Sequence, residues 1–194
     1  MITKFARIAA AAALVVFVTP LASQAAVLGS SVTGELYFGA NPNNYFDPAN
    51  GFVPATTLNN AGTTVVISDP AVEFGFVDAL NTDLVDFFAD GVTITDDVDG
   101  NAFPWVMIFT SDAFIGLMLL EVSDNFLNGG ITGSLIGDTL TFSWAGIGSH
   151  EGLLTAEYRL APVPLPAALP LFGGALLGAG AYMQRKRRKA SFSA

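Results

Sequence analysis

Cysteine is absent, histidine occurs once, and between residues 26 and 162 the only basic side chain is Arg159. Without thiols there is no disulfide framework, no cysteine nucleophile, no thiolate zinc site and no iron–sulfur cluster. The fold must therefore rest on its hydrophobic core, and a segment of about 135 residues is long enough to build one. The shortage of lysine and arginine has a second consequence. All seventeen acidic residues lie between Glu35 and Glu157, so with Arg159 as the only counter-charge residues 26–162 carry a formal charge of −16. Such a surface repels nucleic acid and anionic headgroups, which excludes nucleic-acid partners. It favours solubility, and divalent cations can screen it or bridge it to acidic polysaccharide.

The remaining basic residues sit at the two ends of the chain. Lys4 and Arg7 precede an apolar run, Ile8 to Val18, which Pro20 interrupts before the small residues Ala22-Ser23-Gln24-Ala25-Ala26. That order is a secretory signal peptide, with cleavage expected after Ala25 or, as the alternative, Ala26. At the other end an uncharged run from Leu165 to Met183 is followed by Arg185-Lys186-Arg187-Arg188-Lys189. A bilayer core about 30 Å thick takes roughly 20 helical residues. Pro166 and Pro170 restrict the regular helix to Pro170–Met183, about 21 Å long at the α-helical rise. That is short for a permanent anchor. The basic cluster stops transfer and holds the C-terminus in the cytoplasm.

Val163-Pro164-Leu165-Pro166-Ala167, the glycine-rich apolar helix and the terminal basic cluster resemble the PEP-CTERM class of sorting signals, and within it the VPLPA-CTERM variant. The resemblance implies processing by exosortase, a multi-span membrane protease-transpeptidase of Gram-negative bacteria. It implies an exported protein associated with the cell surface, extracellular polysaccharide or biofilm matrix. Pro164-Leu165-Pro166 lacks the acidic residue of the parent Pro-Glu-Pro motif. The prolines keep this stretch out of helical geometry, so an extended backbone meets the outer face of the membrane. Five segments are expected: signal peptide 1–25, acidic domain 26–160, linker and sorting motif 161–167, transmembrane helix 168–184, and basic cytoplasmic tail 185–194.

The acidic domain reads as β throughout. Short runs rich in Val, Ile, Thr and Phe occur at Val32–Phe38, Thr63–Ser68, Val72–Val77, Leu84–Phe88, Gly91–Thr95 and Trp105–Thr110. Further runs follow at Leu117–Val122, Ser134–Ile136, Thr139–Trp144 and Leu153–Leu160. Gly, Asn, Asp and Pro separate them, with turns expected at Ala89-Asp90 and Gly137-Asp138. The pattern predicts an all-β fold, a single β-sandwich or jelly roll. Ala113–Leu120 has a helical alternative that its neighbours disfavour.

Chemistry-bearing motifs are few. Asp96-Asp97-Val98-Asp99-Gly100-Asn101 is the densest carboxylate run, and Asp96, Asp97 and Asp99 form a calcium candidate. Aligned on Gly100, the twelfth position of an EF-hand loop would be Val106 rather than Glu, so that template fails. The competing reading is a solvated acidic turn. His150, between Ser149 and Glu151, reads as a loop histidine, since no nucleophile elbow surrounds the serine. Tyr37, Phe38, Tyr45, Phe46 and Phe52 flank a polar loop, and Trp105 and Trp144 lie in strands. These rings serve either sugar stacking or the core. The expectation is a non-catalytic surface or matrix protein without a cofactor; the alternative is a secreted hydrolase or lectin-like binder of extracellular polysaccharide carried by the same signal.

Overall fold

Alternation of apolar and polar side chains becomes alternation of burial along ten antiparallel strands. The computed structural model describes residues 27–48, 63–164, 172–173 and 175–180. The strands are β1 (Ser31–Phe38), β2 (Thr64–Val66), β3 (Phe74–Val77), β4 (Asn81–Phe88) and β5 (Gly91–Ala102). They continue with β6 (Trp105–Thr110), β7 (Leu117–Asp124), β8 (Thr132–Ile136), β9 (Thr139–Trp144) and β10 (Gly148–Pro162). One sheet has the order β2-β1-β6-β9-β8 and the other β3-β4-β5-β10-β7. The fold is an all-β sandwich. Three consecutive strands, β3 to β5, lie side by side as a meander, unlike the paired Greek keys of a jelly roll.

Inward positions are read off at every second residue. In β6 they are Trp105, Met107 and Phe109; in β9, Leu140, Phe142 and Trp144; in β10, Leu154, Ala156, Tyr158 and Leu160. The two sheets meet through aromatic rings. Phe109 of β6 lies 5.3 Å from Phe74 and 5.2 Å from Phe87 of the opposite sheet, centroid to centroid. Phe142 of β9 lies 4.8 Å from Tyr158 of β10. Tyr158 buries its ring at no polar cost, because its hydroxyl donates to the Ile131 carbonyl at 3.0 Å. Gly34, inward in β1, makes room for this packing: a Cβ there would stand 2.5 Å from the Phe74 ring.

The expected turns at Ala89-Asp90 and Gly137-Asp138 connect β4 to β5 and β8 to β9. A short 3-10 turn occupies Asp112–Phe114, and the chain from Leu117 onward is strand rather than helix. Two expectations need correction. The acidic run Asp96–Asn101 is not a turn but the second half of β5, and His150 lies in β10 rather than in a loop. The reason is pairing: residues 148–154 of β10 run opposite Asp96–Ala102, so both segments satisfy their backbone groups as a long ribbon. Arg159 answers part of the acidic surface, bonding Asp90 at 2.6 Å and Glu157 at 3.0 Å with its guanidinium 4.9 Å above the Phe88 ring.

The expected signal peptide with Ala25 and Ala26, Leu165–Ala167 of the expected sorting motif, and the expected stop-transfer cluster Arg185–Lys189 lie outside the described residues. Residues 172–173 and 175–180 are helical. Among the described residues no helix is long and apolar enough to cross a membrane.

Candidate functional site

Strand geometry disperses the carboxylates of the acidic run. Asp97 and Asp99 point to solvent, while Asp96 points between the sheets and is 3% exposed. Adjacent strand residues face opposite sides, so Asp96, Asp97 and Asp99 cannot converge on one ion. What the sequence reading missed stands across the ladder. Asp83 of β4 pairs in register with Asp96 of β5, and it is 1% exposed. Side chains directly opposite in an antiparallel pair have Cβ atoms about 4.5–5.5 Å apart. Two carboxylates therefore share one position of the inner face. Asn81, two residues before Asp83, belongs to the same face.

The polar atoms of this cluster are poorly served. Asp96 Oδ2 accepts from the Trp105 indole Nε1 at 3.4 Å, a long contact. Both oxygens of Asp83, Oδ1 of Asp96 and Oδ1 of Asn81 are buried without a hydrogen-bond partner. Burial pushes the Asp83 carboxyl well above its ordinary range, and the charges of Asp96 and Asp78 push it further. Asp96 is raised to about 6, first by burial; the Trp105 hydrogen bond and His150 oppose the rise, while Asp97 and Asp78 add to it. Glu73 makes a useful contrast. It too is fully buried and raised by burial, yet its two oxygens accept the Ser68 and Phe87 backbone N–H groups at 2.8 Å each. Glu73 is a structural acceptor tying the β2–β3 connection to β4; the Asp83–Asp96 pair has no such employment.

A pH dependence follows with a defined sign. In the unfolded chain Asp96 titrates near 3.8, in the folded chain near 6. Between those values the unfolded state releases its proton first, so stability present at acid pH is lost as pH rises. In chelator-treated buffer, unfolding free energy should fall by roughly 2 kcal/mol from Asp96 between pH 4 and pH 7. Asp83 shifts in the same direction and extends the loss. Urea titrations at several pH values measure it, and replacing both residues with Asn should flatten the curve.

The other candidates carry less. A pocket of about 320 Å³ opens beside Gly39, Pro104, Asn128, Thr132, Ser143 and Trp144, and no ionisable side chain lines it. Trp105 and Trp144 are 2% and 3% exposed and Phe46 is fully buried, so none offers a face for a sugar ring. Tyr45 stacks edge-on against Phe38 and Phe76, and its hydroxyl accepts from Asn41 at 2.8 Å. Phe52 lies outside the described residues. His150 pairs with Gly100 across β5 and β10, flanked along the ribbon by Ser149 and Glu151. Among the described residues no three histidine or carboxylate side chains form a metal cluster.

Of the expected sorting motif, Val163 and Pro164 are described. Val163 donates its N–H to the Gly116 carbonyl at 2.9 Å, the last rung beside β10, and its side chain is 52% exposed. Pro164 has no N–H to continue the ladder, so the strand ends where the motif begins. Comparison with family models, with curated proteins and with solved structures yields no match.

Proposed function

We propose that the chain is a non-catalytic exported surface or extracellular-matrix protein of a Gram-negative bacterium. It is held briefly in the inner membrane by its C-terminal helix and processed at Val163–Ala167 by an exosortase-like protease-transpeptidase. The observation that carries this reading is the exit of the chain: β10 stops at Pro162, and Val163 and Pro164 follow at once, exposed. The first two residues of the expected motif thus carry their side chains to solvent rather than into the core. Helical residues Leu176 and Leu177 are 59% and 78% exposed, apolar surface for which lipid is the natural cover. The pocket without ionisable groups and the enclosed Asp83–Asp96 pair favour a non-catalytic domain, because a polymer-cleaving carboxylate pair must flank its substrate in an open cleft. Extracellular polysaccharide is the partner class that the resemblance supplies.

Intact-mass measurement of the mature protein tests this reading. The expected product lacks both the signal segment and residues 168–194. A mature chain still ending at Ala194 would overturn it.

A further inference from the structure

The geometry points to a divalent-cation site of the calcium class between the sheets, formed by Asp83, Asp96 and Asn81. The inference stands apart from the sorting of the tail, since it concerns side chains inside the sandwich. Four buried oxygens, two from Asp83 and one each from Asp96 and Asn81, have no hydrogen-bond donor. Two opposed carboxylates closed away from water need a positive partner; among the described residues His150 of β10 favours the charge of Asp96, but no side chain donates a hydrogen bond to these four oxygens. Among the described residues Arg159 is the only arginine or lysine, and it is committed to Asp90 and Glu157. A single proton shared by the carboxylates would satisfy one bond and leave the Asn81 carbonyl oxygen idle.

A metal ion meets all of these needs together. The donors are oxygens only, with no thiol and no imidazole among them, which suits a hard cation rather than zinc or copper. Calcium takes six to eight oxygens at flexible geometry, and water completes such a shell where the protein offers four. Magnesium demands a tighter octahedron. Asp78, in the exposed β3–β4 turn, accepts the backbone N–H groups of Leu80 and Asn81 at 2.7 Å each. It fixes the start of β4 and adds negative potential near the solvent end of the site. Two carboxylates give a modest charge count, so the expected Kd is roughly 0.1–1 mM, the range of extracellular calcium modules.

The experiment uses the full-length chain in detergent, stripped with chelator and then titrated with terbium and with calcium. Trp105, whose indole touches Asp96, sensitises terbium emission from an ion at this site. The expected result is one saturable terbium site per chain, displaced by calcium, together with a rise in Tm on calcium addition. Asp83→Asn and Asp96→Asn should each weaken binding by about tenfold or more. They should leave Tm in chelator equal to or above that of the parent, because each removes a buried charge. Asp97→Asn and Asp99→Asn, on the outer face of β5, should leave the titration unchanged. Absence of saturable emission and of a calcium-dependent Tm shift would overturn the proposal and leave the pair to protons. A response that survives in the Asp83→Asn/Asp96→Asn double variant would also overturn it, by placing the ions on the outer surface.

Discussion

Deleting residues 163–194 should move the protein from a membrane-held precursor to a soluble exported form, an all-or-none change in cell fractionation. Every described strand of the sandwich precedes the deleted segment. Its last strand ends at Pro162, and the deletion removes a single described backbone bond, Val163 to Gly116. Loss of one such bond costs about 1 kcal/mol, a small part of the 5–15 kcal/mol typical of a domain. The truncated chain should therefore fold and keep a Tm close to that of the processed protein. The proposed signal segment should still direct export, while the apolar run and its basic cluster are gone. Immunoblots of membrane, periplasmic and culture fractions measure the outcome. An unchanged distribution would refute the proposed role of the tail.

Phe109→Ala should be the most damaging single change in the core, costing about 3–5 kcal/mol. Phe109 is fully buried and touches rings from both sheets: Phe74 and Phe87 on one side, Phe142 at 6.4 Å on its own. Both sheets are fixed by their ladders, so they cannot collapse into the space a ring leaves. With no cysteine in the chain, no disulfide limits the freedom of the unfolded state. The loss therefore falls directly on the margin of stability. Urea denaturation of the variant against the parent measures it, and a loss below about 1 kcal/mol would show that the core repacks around the gap.

The strands were legible because their interior faces are apolar at every second position, as in Trp105, Met107 and Phe109. The buried carboxylates were hidden for a related reason. Reading β4 from Leu84 leaves out Asp83, and reading β5 only to Thr95 stops one residue short of Asp96. Apolar character marks a strand only where the strand faces oil, so each run seemed to end at its charged residue. Phase held the missing signal: Asp83 continues the series Val85 and Phe87, and Asp96 continues Val92 and Ile94 before Val98 resumes it. An acidic residue in step with buried neighbours is better evidence of a site than acidic residues crowded together. The pairing of β4 with β5 was needed as well, since register across strands cannot be read from either run alone. The same holds for His150, whose place in a strand is set by Gly100 opposite it.

The final strand has a mechanical consequence. β10 lies inside its sheet with β5 on one flank and β7 on the other, and the proposed sorting motif continues directly from its end in sequence. Tension transmitted through that end runs along the strand axis and loads both ladders in shear. Many rungs must then give way together, instead of peeling apart in turn as they would on an outer strand. A body tethered by its C-terminus would thus meet drag with its sturdiest seam.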